Sequence, residues 1–160
     1  MGTRCYFGTG GKGRGNRRDQ LSAPVDVAVD SQKNLFVADA EDGRVMKWVP
    51  NANSGVVVAG GNGKDAGLHQ LAVPLGIAID SDKNLYVSEC DNDRVMKWAP
   101  NSTSGVLVAK ATEGVPFAGG KGRGLSLHQL YGPQGLAIDS NMNLFVADTW
   151  NNSTSGVLVA

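Results

Sequence analysis

Residues 74–89 read PLGIAIDSDKNLYVSE, and residues 24–39 read PVDVAVDSQKNLFVAD. A third copy, PQGLAIDSNMNLFVAD, occupies residues 133–148. The copies are 50 and 59 residues apart along the chain. A repeat period in this range is typical of propellers, solenoids and other repeat architectures. A residue that recurs at the same place in every copy is therefore expected to belong to the scaffold.

Each repeat contains four short segments with the pattern of β-strands. In residues 25–29, valines alternate with Asp26 and Ala28, which is the period of two of a strand. The polar run DSQKN that follows has the side chains that favour turns. The other predicted strands of the first repeat cover residues 35–38, 44–48 and 55–59. No window shows a helical period over a useful length, so the chain is predicted to be all-β.

The composition of the chain argues against several classes of protein. The chain has 160 residues, with 15 basic and 15 acidic side chains, so no global field attracts it to nucleic acid or to a membrane. Two cysteines are too few for a disulfide framework. No apolar stretch resembles a signal peptide or a membrane span. A soluble protein without membrane association is expected, cytoplasmic by default.

Four short antiparallel strands in about 50 residues are typical of one blade of a β-propeller. The motif P-x-G-I-A-I-D-x-x-x-N-L-Y-V-S-E at residues 74–89, followed by Asn92-Asp93-Arg94-Val95, resembles the NHL repeat. That family forms propellers, commonly six-bladed. Its members include binding modules of ubiquitin ligases, RNA-binding regulators, sensor domains of kinases and lyase relatives. The resemblance therefore implies a fold and leaves the function open.

The repeats divide the chain into an NHL-repeat propeller segment over residues 1–160. Residues 1–20 align with the outer strand and loop of a preceding blade, 21–70 and 71–129 with two blades, and 130–160 with a partial third blade. Three departures stand out: Asp26 replaces a glycine, about nine residues are inserted at 110–118, and the third repeat lacks the segment of the third strand. Residues 152–160 instead copy residues 101–109 letter for letter.

Propellers need four to eight blades, so about two and a half to three blades cannot close a ring. Two hypotheses follow from this shortage. Two chains could form a homodimer that completes a six-bladed ring, or the sequence could be part of a longer propeller.

The sequence contains motifs that resemble cofactor or metal sites, but the neighbouring elements or ligands that such sites need are missing. Residues 8–13, GTGGKG, match a dinucleotide fingerprint, but no helix pattern follows them. His69 and His128 occupy the same repeat position, so they are separated by a whole blade. No nucleophile arrangement can be read from the sequence. We therefore expect no cofactor, no metal ion and no catalytic residue.

A binding surface is predicted where the glycine-rich loops meet the loops between the second and third strands. The sequence favours a protein or peptide partner for this rim, because both signs of charge occur there. RNA binding by the basic loops is one alternative, and a lyase or hydrolase at the central channel is the other. The predicted rim residues are Lys12, Arg14, Arg17, Arg18, Lys64, Lys121, Arg123, Asp42, Asp93 and Trp150.

Overall fold

The computed structural model describes residues 12–110 and 130–149, together with the backbone of 153–156. The described residues form strands joined by turns and loops, as the sequence predicts. They contain no helix that is long and apolar enough to cross a membrane. The strands are β1 Pro24–Val29, β2 Leu35–Asp39, β3 Arg44–Trp48, β4 Val56–Gly60, β5 Pro74–Ile79, β6 Leu85–Glu89, β7 Arg94–Trp98, β8 Val106–Lys110, β9 Pro133–Ile138, β10 Leu144–Asp148 and β11 Ser153–Gly156.

The strands form three antiparallel sheets in chain order. The first sheet is β1-β2-β3-β4, the second is β5-β6-β7-β8, and the third has the order β11-β10-β9. Corresponding strands pair in the same register, because Asp39 lies opposite Arg44 and Glu89 lies opposite Arg94. The four strands predicted for the first repeat are confirmed, with ends that differ by one residue at most.

Each first hairpin is closed by a carboxylate that bonds its own turn. Asp30 Oδ1 accepts the backbone N–H of Asn34 at 2.9 Å, and Asp30 Oδ2 accepts Asn34 Nδ2 at 2.7 Å. The same pair of bonds recurs in the other two sheets. In the third sheet, the bonds from Asn143 lower the pKa of the Asp139 carboxyl. The DSQKN-type run is thus a hairpin turn, as predicted.

Apolar side chains fill the space between successive sheets. Phe36 of the first sheet packs with Ile77 and Ile79 of the second. Tyr86, at the position of Phe36 in the next repeat, packs with Leu136 and Ile138 of the third sheet. The same face of each sheet therefore contacts the opposite face of its successor.

The third repeat departs from the sequence prediction in one respect. The prediction that its third strand is missing is wrong, because β11 pairs with β10 at the position of a third strand. Residues 153–156 read STSG, and the same four letters at residues 102–105 form a turn. The absence of eight residues places this segment directly beside the edge of β10, whose backbone groups need partners. Tertiary context thus decides the structure of this tetrapeptide.

Glycine at position 76 permits the close approach of the second and third sheets. A Cβ atom on Gly76 would overlap the carbonyl oxygen of Gln134 and lie 2.9 Å from Ser88 Oγ. Ser88 Oγ donates to the same Gln134 carbonyl at 2.7 Å. The innermost strands of these two sheets therefore meet through backbone, which leaves no room for a side chain.

We predict that Gly76→Ala lowers the free energy of unfolding by about 1–3 kcal/mol, because the added methyl group meets rigid backbone. Urea denaturation at low protein concentration measures this. Gly135→Ala is the matched control at the same repeat position, since among the described residues its Cβ would contact only Ala147 Cβ, at 3.4 Å. Equal losses for the two variants would contradict the account of this interface.

Candidate functional site

A buried arginine at the start of β3 fastens the loop that precedes the first sheet. Arg44 Nε donates to Asp39 Oδ2 at 3.0 Å, and its Nη1 donates to the Asn16 carbonyl at 2.6 Å. Its Nη2 donates to the Gln20 carbonyl at 3.0 Å. Asp39 Oδ1 accepts the backbone N–H of Ser22 at 2.8 Å, so the carboxylate holds the same loop. One ion pair thus joins two strands to the irregular backbone between residues 15 and 23.

The second sheet repeats this arrangement 50 residues later. Arg94 Nε donates to Glu89 Oε1 at 2.6 Å. Its other nitrogens donate to the carbonyl oxygens of Ala66, Gly67 and Gln70. Glu89 Oε2 accepts the backbone N–H of Ala72 at 2.9 Å, as Asp39 accepts that of Ser22. We call each unit an arginine clamp, and residues 12–20 and 61–70 the clamped loops.

Burial makes these clamps costly to disrupt. The Arg44 side chain is 5% exposed and the Asp39 side chain is fully buried. Burial raises the pKa of the Asp39 carboxyl, while hydrogen bonds from Ala23, Ser22 and Arg44 act in the opposite direction. A buried charge needs its partner, because an isolated charge in the interior is strongly disfavoured.

The clamp residues are not among the site residues predicted from the sequence. A signal was present, since an acidic residue precedes an arginine by five positions in both complete repeats. In the third sheet Asp148 Oδ1 accepts the backbone N–H of Tyr131 at 2.7 Å, so the carboxylate half of the arrangement recurs. Ser153 occupies the register position of the arginine, opposite Asp148. The third repeat therefore carries the acid without the corresponding arginine.

The clamped loops run along the side of the sheets and do not stay at one rim. The backbone N–H of Gly55 donates to the Arg18 carbonyl at 2.7 Å, and that of Gly105 donates to the Leu68 carbonyl at 2.7 Å. Both glycines precede the fourth strand, at the sheet end opposite the clamp arginines. Each loop is thus fixed at two points and presents its side chains in a set geometry.

Most charged side chains on this surface are exposed and balanced in sign. Arg14 pairs with Glu41, whose hydrogen bond and charge raise the pKa of the Arg14 guanidinium. Asp19 lies 3.6 Å from Lys12 Nζ and 3.5 Å from Arg17 Nε. Within the described residues, Arg18 and Lys64 form no ion pair. The basic side chains of the clamped loops are Lys12, Arg14, Arg17, Arg18 and Lys64. The exposed or half-buried carboxylates of these loops and of the turns between the second and third strands are Asp19, Glu41, Asp42, Asp65 and Asp91.

The two aspartates predicted for the rim have structural partners. Asp42 is half-buried, and its carboxylate lies 3.1 Å from Arg44 Nη2. Asp93 is buried, and its Oδ1 accepts the backbone N–H of Gly132 at 3.0 Å, which links the second and third sheets. Lys121, Arg123 and Trp150 lie outside the described residues. A binding role for the predicted set stays a prediction.

A groove of about 560 Å³ lies beside β4 of the first sheet. It is bounded by Val56–Asn62 on one side, and by Trp98 and the turn at residues 101–103 on the other. Val56 and Val57 are both exposed. β4 is the last strand of its sheet, so one of its edges has no strand beside it among the described residues. The groove is therefore a second candidate position for a ligand, which could contact backbone groups of β4 and the two exposed valine side chains.

No metal centre is assembled in the part of the chain that the structure describes. No three side chains among its His, Cys, Asp and Glu residues are grouped so that they could hold a metal ion. His69 is exposed in a clamped loop, and His128 lies outside the described ranges.

We predict that Arg94→Met lowers the free energy of unfolding by about 3–5 kcal/mol, because Glu89 would remain buried without its cation. Adding Glu89→Gln to that variant should recover part of the loss. Urea denaturation of the single and double variants measures both effects. Arg18→Met is the control, since this exposed side chain should leave the stability unchanged. A double variant no more stable than Arg94→Met would show that the buried charge is not the cause.

Comparisons with known proteins support the fold. No family model matches the chain, and no curated protein does. Solved structures do match. A streptogramin B lyase is 14% identical with a TM-score of 0.56, and the match covers 81% of this chain and 35% of that one. A gluconolactonase from Xanthomonas campestris is 16% identical with a TM-score of 0.59, and the match covers 89% and 41%.

An auxiliary nutrient-binding protein from Bacteroides thetaiotaomicron is also similar, with 12% identity, a TM-score of 0.59 and coverage of 78% and 35%. The matches span between about a third and two fifths of these neighbours' own lengths. At such identity the likeness shows the fold alone. These neighbours are propeller-type proteins, and the described sheets are antiparallel blades. The described residues are therefore part of a β-propeller.

Proposed function

We propose that this chain is a non-enzymatic binding module of NHL-repeat type that recognises a protein or peptide through the clamped loops. The carrying observation is that a buried arginine fixes each loop while its charged side chains remain exposed. A loop ordered before binding loses less conformational entropy on binding, which favours affinity. The P-x-G-I-A-I-D unit at residues 74–80, with its variants at residues 24–30 and 133–139, supports the assignment to the NHL type.

The balance of charge supports a protein or peptide over RNA. RNA binding depends on a net excess of basic side chains along the phosphate path. Here the five described basic side chains stand among five carboxylates, and Lys12, Arg14 and Arg17 lie in ion pairs. A partner that offers carboxylates at a few set points, in place of a continuous phosphate backbone, complements such a surface. Arg18 and Lys64 are left to attract carboxylates of that partner.

Two of the structural neighbours are enzymes. They match this chain at 14% and 16% identity, and this likeness carries no reacting residue to it. Near the inner edge of the first blade, Asp26 accepts the backbone N–H groups of Val27 and Ile77. This carboxylate therefore holds two blades together.

We predict that a random peptide library displayed on phage yields peptides rich in Asp and Glu when panned on the chain. Arg17→Ser with Arg18→Ser should weaken their binding at least tenfold, because two of the four cations on the first clamped loop are removed. The matched control is Lys33→Asn with Lys83→Asn, which removes two exposed cations from the first-hairpin turns, outside the clamped loops. Asparagine suits the positive φ of both positions.

Two further experiments distinguish the clamped loops from the groove beside β4, and a peptide from RNA. Val56→Thr with Val57→Thr alters the groove beside β4, and loss of binding in this variant alone would place the peptide there and contradict the clamped loops. Single-stranded oligouridine is the RNA probe. Binding to it that falls steeply with salt and with the paired arginine change would replace the peptide proposal with RNA binding. Retained peptide binding in all three variants would overturn the proposed site.

A further inference from the structure

The two end blades each expose one apolar face. On the first blade, Val25, Val27 and Val29 of β1 are 50%, 42% and 62% exposed. On the third blade, Phe145 of β10 is 43% exposed. Alternation along a strand places every second side chain on one face, so the three valines form a continuous stripe. Exposed apolar faces of this kind mark interaction surfaces.

These faces are the ones that pack against each other inside the chain. Phe145 occupies the repeat position of Phe36 and Tyr86, which are each only 7% exposed. Phe36 packs with Ile77 and Ile79, which occupy the positions of Val27 and Val29 in the next repeat. The same contact thus occurs at both interfaces between described blades. Its two sides recur, exposed to solvent, on the outer face of the third blade and on the outer face of the first.

We propose that a second copy of this chain covers these faces, so that Phe145 of each copy packs on Val27 and Val29 of the other. The internal contacts between blades supply the template for this interface. Three blades are too few for a closed ring, and propellers have four to eight. Two copies of the three described blades make six, which lies within that range.

The polar contacts at the new interface differ from those inside the chain. Between the second and third blades, Ser88 Oγ donates to the Gln134 carbonyl. By repeat position, Ala147 replaces Ser88, and Val25 of the second copy replaces Gln134. No hydroxyl is available for that bond, so the interface between copies is weaker than the internal one. The dimer should therefore dissociate on dilution.

The first test is the mass of the full chain by light scattering across a range of concentrations. The expected result is a shift from the chain mass of 16.7 kDa to twice that value as the concentration rises. A monomer at every concentration would overturn the proposal. Larger open assemblies would also overturn it, since head-to-tail contacts that fail to close produce filaments.

Complementation then tests which faces meet. Val27→Asp and Phe145→Asp each place a charge on one of the two apolar faces. Both positions are exposed, so the circular dichroism spectrum and the unfolding midpoint should stay unchanged in dilute solution. Each variant alone should be monomeric. Their equimolar mixture should dimerise, because the intact Phe145 of one variant meets the intact Val27 of the other. A mixture that associates no better than the separate variants would contradict this pairing.

Gly135→Ala gives an independent check. Gly135 occupies the position of Gly76, where a Cβ would overlap backbone of the next blade. The change should raise the dimer dissociation constant at least tenfold while the dilute chain keeps its stability. An unchanged dissociation constant would show that another surface joins the copies.

Discussion

In each complete blade, the hydrogen bonds of one buried arginine connect the second and third strands to the loop that precedes the blade. Arg44 joins the second strand, through Asp39, to the loop that arrives from the preceding part of the chain. Arg94 does the same through Glu89. Because the guanidinium group has five donors in a fixed plane, it can satisfy one carboxylate and several carbonyl oxygens together. Lysine has no such geometry, so the clamp depends on arginine specifically.

Packing between the blades depends on a second constraint, the close approach of the inner strands. At one interface, the Asp26 carboxylate bridges to the Ile77 backbone. At the next, Gly76 removes the side chain and lets the backbone of the third blade come near. The apparent departure of Asp26 from the repeat is therefore a second solution to the same contact. Both solutions leave Phe36 and Tyr86 buried between blades.

Much of the fold followed from the sequence because the repeat makes its patterns visible more than once. The alternation of strands, the Asp–Asn hairpin turns and the change of blade at Pro24 and Pro74 all recur at fixed offsets. The third strand of the third repeat was not predicted, because residues 153–156 are of types that favour turns. They form a strand because they pair with the edge of β10. Local sequence carries no information about such an edge.

The site was predicted less completely for a different reason. Charge on a loop can be read from the sequence, but its neutralisation by Asp19 or Glu41 depends on distances between segments. The burial of Asp93 was likewise hidden, because its partner Gly132 is 39 residues away. The clamp was readable in principle, as the recurring acid five positions before an arginine.

We infer that the arginine clamps fix the loops of the proposed binding surface. The most direct measurement is solvent exchange of the arginine Nε–H groups by nuclear magnetic resonance. If the claim holds, the Nε–H signals of Arg44 and Arg94 persist in slow exchange, while those of exposed Arg17 and Arg18 exchange fast. Equally fast exchange of all four would contradict it, because it would show that the clamps open freely in the folded protein.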